Sequence, residues 1–219
     1  MTVIAFDVNE TLLDTRALDP VLGGAGIRSN WFALMVQYTF VAGLTGRFVD
    51  YPSAQRAALK TLGIDAEDAV LAQMRRMPAH PDVHAALDRL KDFTVVALTN
   101  SPLEVAIAGL EFAGIAARFD AILSADQIHA LKPRRQAYEY AANTLGVGVG
   151  EIRLVAAHGW DIAGALAAGC QGAFVRRPAA DLSYPGMALN PLTEQPDITG
   201  ADLVEAADKI LASSAPQRR

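Results

Sequence analysis

The stretch VIAFDVNETLLD, residues 3–14, places an acidic residue directly after an apolar run of strand length. The run VIAF at 3–6 predicts a buried strand, because short continuous apolar segments are typical of strands covered on both faces. Asp7 follows this run, and Asn9 and Glu10 stand where a second acid or a glycine turn would be expected. From these residues alone, Asp7 is a candidate nucleophile, a candidate metal ligand, or a helix or turn cap.

Comparable apolar runs recur along the chain at 94–99, 121–123, 153–157 and 172–175. Most of them are separated by longer segments whose apolar residues recur every three or four positions, as at 103–115, 136–147 and 161–170. That spacing predicts helices, and helices alternating with strands favour a parallel sheet covered on both faces. The sequence therefore predicts an open, Rossmann-like α/β fold with an active site beyond the carboxyl ends of the strands.

The region between the first and second strands breaks this alternation. Helical patterns follow one another there without an intervening strand, at 30–44, 52–64, 66–77 and 80–93. We interpret 15–79 as an all-helical cap that lies over the carboxyl end of the sheet. The predicted core domain then comprises 1–14 and 80–219.

Composition restricts the classes of function. The 219 residues are 52% hydrophobic and 20% charged, which is typical of a globular chain with a substantial core. The net charge of −5 and the scattered basic residues argue against a nucleic-acid partner. The single cysteine, Cys170, is expected in the core and not as a reactive thiol. No apolar run approaches the roughly 18 to 20 residues that cross a bilayer, and no signal-peptide pattern is present, so we expect a cytoplasmic protein without membrane contact.

Polar residues follow the predicted strands or lie in the loops between them. They are Asp7, Thr99, Asn100, Ser101, Lys132, His158 and Asp161. Each has an ordinary explanation as well, since Ser101 before Pro102 is typical of a helix start and Lys132 can be a solvated loop charge. Because active sites of open α/β sheets lie at the carboxyl ends of the strands, we expect these side chains to converge at that edge.

In these segments the chain resembles the haloacid dehalogenase superfamily, and within it the type II 2-haloacid dehalogenases of bacteria. The resemblance is collinear over nearly the whole chain. It rests on FDVNETLLD (6–14), QYTFVAGLTGRFVDY (37–51), LTNSP (98–102), FDAILSADQIHALKPRRQAYEYAANTLGV (119–147) and VAAHGWDIAGALAAG (155–169). It implies a Rossmann-like core with a helical cap, a homodimer, and hydrolysis of short 2-haloalkanoic acids to 2-hydroxy acids.

Two positions distinguish the branches of this superfamily. Its phosphatases carry a second aspartate two residues after the nucleophile, as general acid, and another in the fourth motif, which holds magnesium. Here these positions correspond to Asn9 and Ala157. An amide cannot protonate a leaving alkoxide, and a methyl group cannot bind a hard cation. We therefore expect no metal and no other cofactor, and a phosphatase-like hydrolase is the less favoured alternative.

The resemblance implies two steps, in which Asp7 attacks the carbon that bears the halogen and water then hydrolyses the aspartyl ester. Halide leaves as a stable anion, but a carboxylate that attacks an anionic substrate needs positive potential nearby. Lys132 and the amides near Asn100 are the expected sources. Thr11 is expected to position Asp7, and Asp161 to hold Lys132 or the hydrolytic water. Further residues implied to line the site are Thr99 and Asn100 at the substrate carboxylate, Tyr138, and Trp160 as an apolar wall or plain core.

The chain departs from the resembled family where the halide would be received. A family arginine in the cap corresponds to Phe32, which cannot donate a hydrogen bond. The family serine and asparagine of the fourth motif correspond to Ala156 and His158, and a family tyrosine corresponds to Asn9. Phe32 and Asn9 are expected to face the substrate. His158, as a hypothesis, donates to halide or acts as a base toward water, since imidazole titrates near neutral pH; the alternative is that it only caps the following helix.

Several assignments stay open in the sequence. The arginines in or near the cap that can replace the halide donor are Arg16, Arg28 and Arg47. The histidines expected at the surface or at helix ends, without zinc-like spacing, are His80, His84 and His129. Because of Phe32, a ligand-binding member of the family with little turnover is a further alternative.

Overall fold

The computed structural model describes residues 2–177 and 188–214. Residues 178–187 and 215–219, which belong to the predicted core domain, lie outside the described part of the chain, as does Met1. Within the described ranges, no helix is both long enough and apolar enough to cross a membrane.

The described residues form one parallel sheet of six strands. The strands are β1 (Val3–Phe6), β2 (Thr94–Thr99), β3 (Ala121–Ser124), β4 (Ile152–Ala156), β5 (Gln171–Val175) and β6 (Ile198–Gly200). They lie in the order β3-β2-β1-β4-β5-β6, so that β1 is an inner strand between β2 and β4. The predicted α/β fold with a parallel sheet is confirmed, and each predicted strand is present to within one residue of its expected bounds.

Helices occupy the connections between the strands. They are α1 (Asp19–Leu22), α2 (Ala25–Leu44), α3 (Tyr51–Leu62), α4 (Glu67–Gln73), α5 (Val83–Arg89), α6 (Leu103–Phe112), α7 (Arg135–Leu145), α8 (Gly159–Ala168) and α9 (Leu203–Ser214). The crossovers β2–α6–β3, β3–α7–β4 and β4–α8–β5 are the helical connections that a parallel sheet requires.

Strand β1 is buried on both faces, which explains its continuous apolar sequence. Ile4 and Phe6 belong to one hydrophobic cluster, whereas Val3 and Ala5 belong to a second cluster on the opposite face. Side chains of a strand alternate between the two faces of a sheet, and here each face packs against helices. Cys170 lies buried beside the second cluster, as the sequence predicts.

Helices α1 to α4 follow β1 with no strand among them. Helix α2 packs along α3, whose buried face is spaced at three and four residues through Tyr51, Ala54 and Ala58. Asp50 caps the start of α3 by accepting a hydrogen bond from the Ser53 amide at 2.7 Å. This packing carries two aromatic side chains of the region, Phe32 and Tyr51, to the pocket at the end of β1.

The sequence patterns did not predict β6 or α9. Strand β6, with the sequence ITG, contains no apolar run, and it pairs with β5 at the edge of the sheet. Helix α9 packs against α5 and β6 through a buried stripe that includes Leu203, Ala207 and Ile210. Both elements cover the β5 side of the sheet.

Candidate active site

The candidate site lies at the carboxyl ends of three neighbouring strands. Asp7 directly follows β1, and its backbone N–H donates to Val155 O of β4 at 3.0 Å. Thr99 ends β2 on one side, and His158 follows β4 on the other. The sheet order therefore brings Asp7 next to residues that are more than ninety positions away from it in the chain.

The Asp7 carboxylate accepts hydrogen bonds from three side chains. Thr11 Oγ1 donates to Oδ2 at 2.7 Å, and His158 Nδ1 donates to the same oxygen at 3.1 Å. Lys132 Nζ donates to Oδ1 at 2.8 Å. The Thr11 hydroxyl also accepts from the Ala157 N–H at 2.9 Å, so this threonine joins β1 to β4 beneath the carboxylate.

Two residues that the sequence did not single out for this role, His80 and Arg177, bind the backbone of the loop after Asp7. Glu10 has a left-handed backbone with φ of 63°, and its carbonyl oxygen bonds to His80 Nε2 at 2.9 Å. Arg177 donates to the Thr11 carbonyl and pairs with Asp82 at 2.7 Å. His80 was expected at the surface or at a helix end. It is only 3% exposed, so the surface location is wrong, whereas it does lie just before α5, where its carbonyl oxygen accepts from the Val83 N–H.

Lys132 is buried, and its ammonium group makes three polar contacts. Nζ lies 2.8 Å from Asp7 Oδ1, 2.6 Å from Asp161 Oδ2 and 2.8 Å from Leu98 O. An ammonium group has three N–H donors, so all of them are used within the protein. The alternative explanation of Lys132 as a solvated loop charge is therefore wrong.

Asn100 fixes the backbone at Lys132. Its Oδ1 accepts from the Lys132 amide at 2.7 Å, and its Nδ2 donates to the Lys132 carbonyl at 3.0 Å. The side-chain amide thus pairs with one peptide unit on each side of the lysine. Because one Nδ2 hydrogen is used here, one hydrogen remains for a ligand.

Charge pairing sets the ionisation of this cluster. Burial alone would raise the pKa of Asp7, but Lys132 and the hydrogen bond from His158 lower it far below its ordinary value. Burial would lower the pKa of Lys132, but Asp161 and Asp7 raise it above its ordinary value. Near neutral pH, Asp7 is a carboxylate and Lys132 is an ammonium.

Asp161 supports Lys132 and does not line the pocket around Asp7. Its Oδ2 binds Lys132 Nζ, and its Oδ1 accepts from the Tyr138 hydroxyl at 2.7 Å. Burial and the nearby Asp7 raise the pKa of Asp161. Of the two expected roles, holding the lysine fits these contacts and holding water does not. Tyr138 lies fully buried behind Asp161 and so is not placed at the substrate, contrary to expectation.

A small pocket of about 10 Å³ opens directly onto the Asp7 carboxylate. The described residues that line it are Asp7, Asn9, Phe32, Tyr51, Thr99, Asn100, Lys132, His158 and Trp160. Eight of these were candidates from the sequence, and Tyr51 was not. The signal that could have identified Tyr51 is its position at the start of a helix in the predicted cap, after the acidic cap residue Asp50.

His158 is held between two aromatic rings. Its ring lies parallel to Phe32 at 5.4 Å between centroids, and it stacks on Trp160 at 5.2 Å. His158 precedes α8, but its side chain makes no cap hydrogen bond to that helix. The contact with Asp7 replaces the simple capping role that the sequence left open.

None of the three candidate arginines lines the pocket at Asp7. Arg16 pairs with Asp14 at 2.6 Å, and Arg28 pairs with Asp19 at 2.6 Å. Arg47 lies at a separate apolar cleft of about 330 Å³ between the α2–α3 connection and the loop after Lys132. The hypothesis that one of them binds halide beside Asp7 is wrong for this arrangement.

The polar side chains at the end of β2 are also organised. Asn9 Nδ2 donates to Ser101 Oγ at 3.1 Å, and the Ser101 N–H donates to Thr99 Oγ1 at 3.1 Å. The sequence reading of Ser101 as a helix cap is replaced by this link, since α6 begins only at Leu103. Asn9, Thr99 and Asn100 therefore present amide and hydroxyl groups to the pocket in fixed positions.

A parallel sheet with a buried, lysine-paired carboxylate at the end of an inner strand defines a hydrolase with a Rossmann-like core. The sequence model of the haloacid dehalogenase-like hydrolases matches residues 1–169, and the chain belongs to this family. The resemblance found in the sequence is thereby confirmed.

Several known proteins are similar over most of their length. An (S)-2-haloacid dehalogenase of Xanthobacter autotrophicus is 29% identical over 188 residues, which are 80% of this chain and 74% of the relative. (S)-2-haloacid dehalogenase 1 of Pseudomonas sp. strain CBS-3 is 30% identical over 75% of this chain and 79% of the relative. The structure of the L-2-haloacid dehalogenase from X. autotrophicus with chloropropionic acid covalently bound has the same fold, with a TM-score of 0.84 at 24% identity, covering 98% of this chain and 100% of that one.

Proposed function

We propose that this protein hydrolyses short 2-haloalkanoic acids to 2-hydroxy acids through an aspartyl ester on Asp7. The observation that carries the proposal is the Asp7 carboxylate, which is kept ionised in a buried pocket by Lys132 and oriented by Thr11. The names and activities of the 2-haloacid dehalogenases to which the chain is similar support the same reaction.

In the first step, a carboxylate oxygen of Asp7 forms a bond to the carbon that bears the halogen. The carbon–halogen bond breaks, and the halide leaves with both electrons, so no proton is transferred. This chemistry explains why Asn9 can stand two residues after the nucleophile, where a general acid would otherwise be required. Lys132 offsets the charge of Asp7, so that an anionic substrate can approach it.

The substrate carboxylate is placed at the end of β2. Asn9 and Asn100 each use one amide hydrogen within the protein and keep one for a ligand. The Thr99 hydroxyl accepts from Ser101 and keeps its own O–H as a donor. These neutral donors bind a carboxylate without withdrawing Lys132 from Asp7.

In the second step, water attacks the carbonyl carbon of the Asp7 ester and releases the hydroxy acid. Ester formation removes the negative charge from Asp7, which weakens the hydrogen bond from His158. The imidazole then lies next to the ester and can take a proton from the attacking water. As the bond from the Asp7 carbonyl carbon to the substrate oxygen breaks, the imidazole returns this proton to that oxygen, which becomes the hydroxyl of the product. The 3.1 Å contact with Asp7 favours this role of His158 over the alternative in which it binds halide.

The helical region 15–79 acts as a cap in this proposal, with 1–14 and 80–219 as the core. Phe32 of α2 and Tyr51 of α3 close the pocket over Asp7, which supports this division. The proposed reaction needs neither metal nor other cofactor, because Lys132 supplies the positive charge beside the nucleophile. Turnover should therefore persist unchanged after dialysis against EDTA.

The protein is proposed to act as a cytoplasmic homodimer. Val41, Leu44 and Phe48 near the end of α2 are 52%, 89% and 36% exposed, and such neighbouring apolar side chains are typical of an interface. The free, buried Cys170 is compatible with a reducing compartment. A Leu44→Glu variant that remains the same size as the parent by light scattering, at each concentration tested, would argue against this interface.

The central experiment is halide release from fluoro-, chloro- and bromoacetate and from both enantiomers of 2-chloropropionate. Asp7→Asn should abolish release, whereas Asp14→Asn, which alters a carboxylate paired with Arg16, should retain it. In heavy-oxygen water, one turnover should label Asp7 and leave the product unlabelled, since the new product oxygen comes from the aspartate. Label in the first product would contradict an aspartyl ester.

A further inference from the structure

A halide that leaves inside a closed pocket needs hydrogen-bond donors at its point of departure. Phe32 stands at the position of the family arginine, and the nearby arginines Arg16 and Arg28 pair elsewhere. The N–H groups of Lys132 are all used by Asp7, Leu98 and Asp161. The receiving donors must therefore come from other residues that line the pocket.

Tyr51 is one such donor. It is the first residue of α3, it lines the pocket with Asp7, and only 3% of it is exposed. Its hydroxyl makes no hydrogen bond to any residue within 2–177 or 188–214. A buried tyrosine hydroxyl usually finds a partner, so this O–H is available to a ligand in the pocket.

Trp160 supplies a second donor. Its Nε1–H is buried and has no acceptor among the described residues, although the ring lines the same pocket. The ring is fixed by stacking on His158 at 5.2 Å and by an edge contact with Phe40 at 5.5 Å. A buried N–H without an acceptor is unfavourable, and an anion in the pocket would satisfy it.

We propose that the Tyr51 hydroxyl and the Trp160 indole N–H together receive the departing halide in place of a charged donor. This proposal rests on the proposed dehalogenase function. As the carbon–halogen bond breaks, the halide takes the electron pair and accepts two hydrogen bonds, while both donors keep their protons. Trp160 is then a halide ligand and not only the apolar wall expected from the sequence.

The surroundings keep Tyr51 in its donor form. Burial, Asp7 and Asp161 all raise the pKa of Tyr51 well above its ordinary value. Near neutral pH the hydroxyl is therefore protonated while Asp7 is ionised. The groups proposed to bind the substrate carboxylate, at Asn9 and Asn100, come from other loops, so the carboxylate and the departing halide are received separately.

The release rates of different halides should depend on these donors to different degrees. Fluoride accepts hydrogen bonds most strongly and leaves carbon least readily, so it depends most on the donors. Bromide leaves readily and depends on them least. Removing one donor should therefore slow fluoroacetate far more than bromoacetate.

The test uses Tyr51→Phe, which keeps the ring and removes only the hydroxyl, and Trp160→Phe, which keeps an aromatic ring but replaces the indole and its N–H by a smaller group. Single-turnover halide release should fall by about tenfold or more with fluoroacetate and by less than about threefold with bromoacetate. The control is Tyr38→Phe, which removes a hydroxyl bonded to Thr61 on the exposed side of α2 and should leave all rates unchanged. Equal slowing of every halide, or no slowing, in folded Tyr51→Phe would overturn the proposal.

A binding measurement separates this proposal from the proposed function. Trp31 and Trp160 are the two tryptophans of the chain, and Trp31 is fully buried and bonded to Gln55 O. Bromide at constant ionic strength should change tryptophan emission saturably in the parent, more weakly in Tyr51→Phe and not at all in Trp160→Phe. If the parent releases no halide from any haloacid, the proposed function fails. The bromide titration still decides whether Tyr51 and Trp160 bind halide. A titration of Tyr51→Phe that is unchanged from the parent would contradict halide binding by Tyr51.

Discussion

Replacing Lys132 with methionine removes a cation that lies between two buried carboxylates. Lys132 Nζ is 2.8 Å from Asp7 and 2.6 Å from Asp161, and the side chain is 1% exposed. Each contact is worth about 6 kcal/mol before desolvation, at an effective dielectric constant of about 20. Removing one partner of a buried pair typically costs about 3–5 kcal/mol, so we expect Lys132→Met to lower the free energy of unfolding by about this amount at pH 7.

The pH dependence of this loss has a definite sign. In the parent, the lowered pKa of Asp7 contributes stability above the unfolded-state value, and this contribution is lost as pH falls through the folded-state value. In Lys132→Met, Asp7 and Asp161 are buried next to each other without the cation, so burial and repulsion raise their pKa values. A raised carboxyl pKa stabilises the fold at low pH and ceases to do so as pH rises. The difference between the two proteins should therefore shrink between about pH 7 and pH 4.

Urea unfolding followed by circular dichroism at these two pH values measures the effect directly. Lys209→Met is the matched control, because Lys209 is a surface lysine paired with Glu205, and its change should lie within about 0.5 kcal/mol. Halide release by Lys132→Met should fall on the order of a hundredfold at pH 7, since the substrate anion then meets an unbalanced carboxylate. A variant that unfolds at the parental urea concentration at pH 7, or that keeps the parental rate, would refute this account of Lys132.

Three further predictions address single contacts. Thr11→Val removes one hydrogen bond to the Asp7 carboxylate and should slow ester formation by about tenfold in single-turnover experiments; an unchanged rate would exclude a positioning role. His158→Asn should leave the rate of ester formation within about threefold of the parent but slow ester hydrolysis by about a hundredfold. The aspartyl ester should then accumulate and be detected by mass spectrometry. If the rates of both steps stay unchanged, His158 has no part in the mechanism. Burial, followed by the nearby Asp161, raises the pKa of Cys170 to about 12, so iodoacetamide at pH 8 should label the folded protein far more slowly than the urea-unfolded protein. Comparable labelling of the two would show that this thiol is accessible.

Much of the fold followed from the sequence, because parallel strands covered on both faces have a distinctive composition. The run at 3–6 is uniformly apolar since both of its faces pack against helices, and the predicted runs at 94–99 and 153–157 correspond to β2 and β4, the strands that flank it. The edge strand β6 gave no such signal, because its sequence ITG contains only one apolar residue. The other edge strand, β3, was predicted because it begins with the apolar run AIL, so the apolar run and not the place in the sheet made a strand visible in the sequence.

The site could be predicted where residues directly follow strands, and less well where a side chain reaches the site through tertiary packing. Asp7 and His158 lie at the pocket because the ends of β1 and β4 are adjacent. Tyr51 and His80 belong to segments distant from any strand end, so only the packing of α3 and the turn at 78–82 brings them near. Tyr138 was wrongly expected at the substrate for a related reason. A sequence pattern indicates which segment approaches the site, but not whether a side chain lines the pocket or lies buried behind it, as Tyr138 does behind Asp161.

The stack of Phe32, His158 and Trp160 links the opening of the pocket to the orientation of the imidazole. A cavity of about 10 Å³ accommodates roughly a single water molecule, so even a haloacetate is admitted only when the walls separate. Phe32 is a wall that belongs to α2, and its ring covers one face of His158. A displacement of α2 would therefore also remove a ring that stacks on His158, so the position of this helix and the setting of the imidazole beside Asp7 are linked.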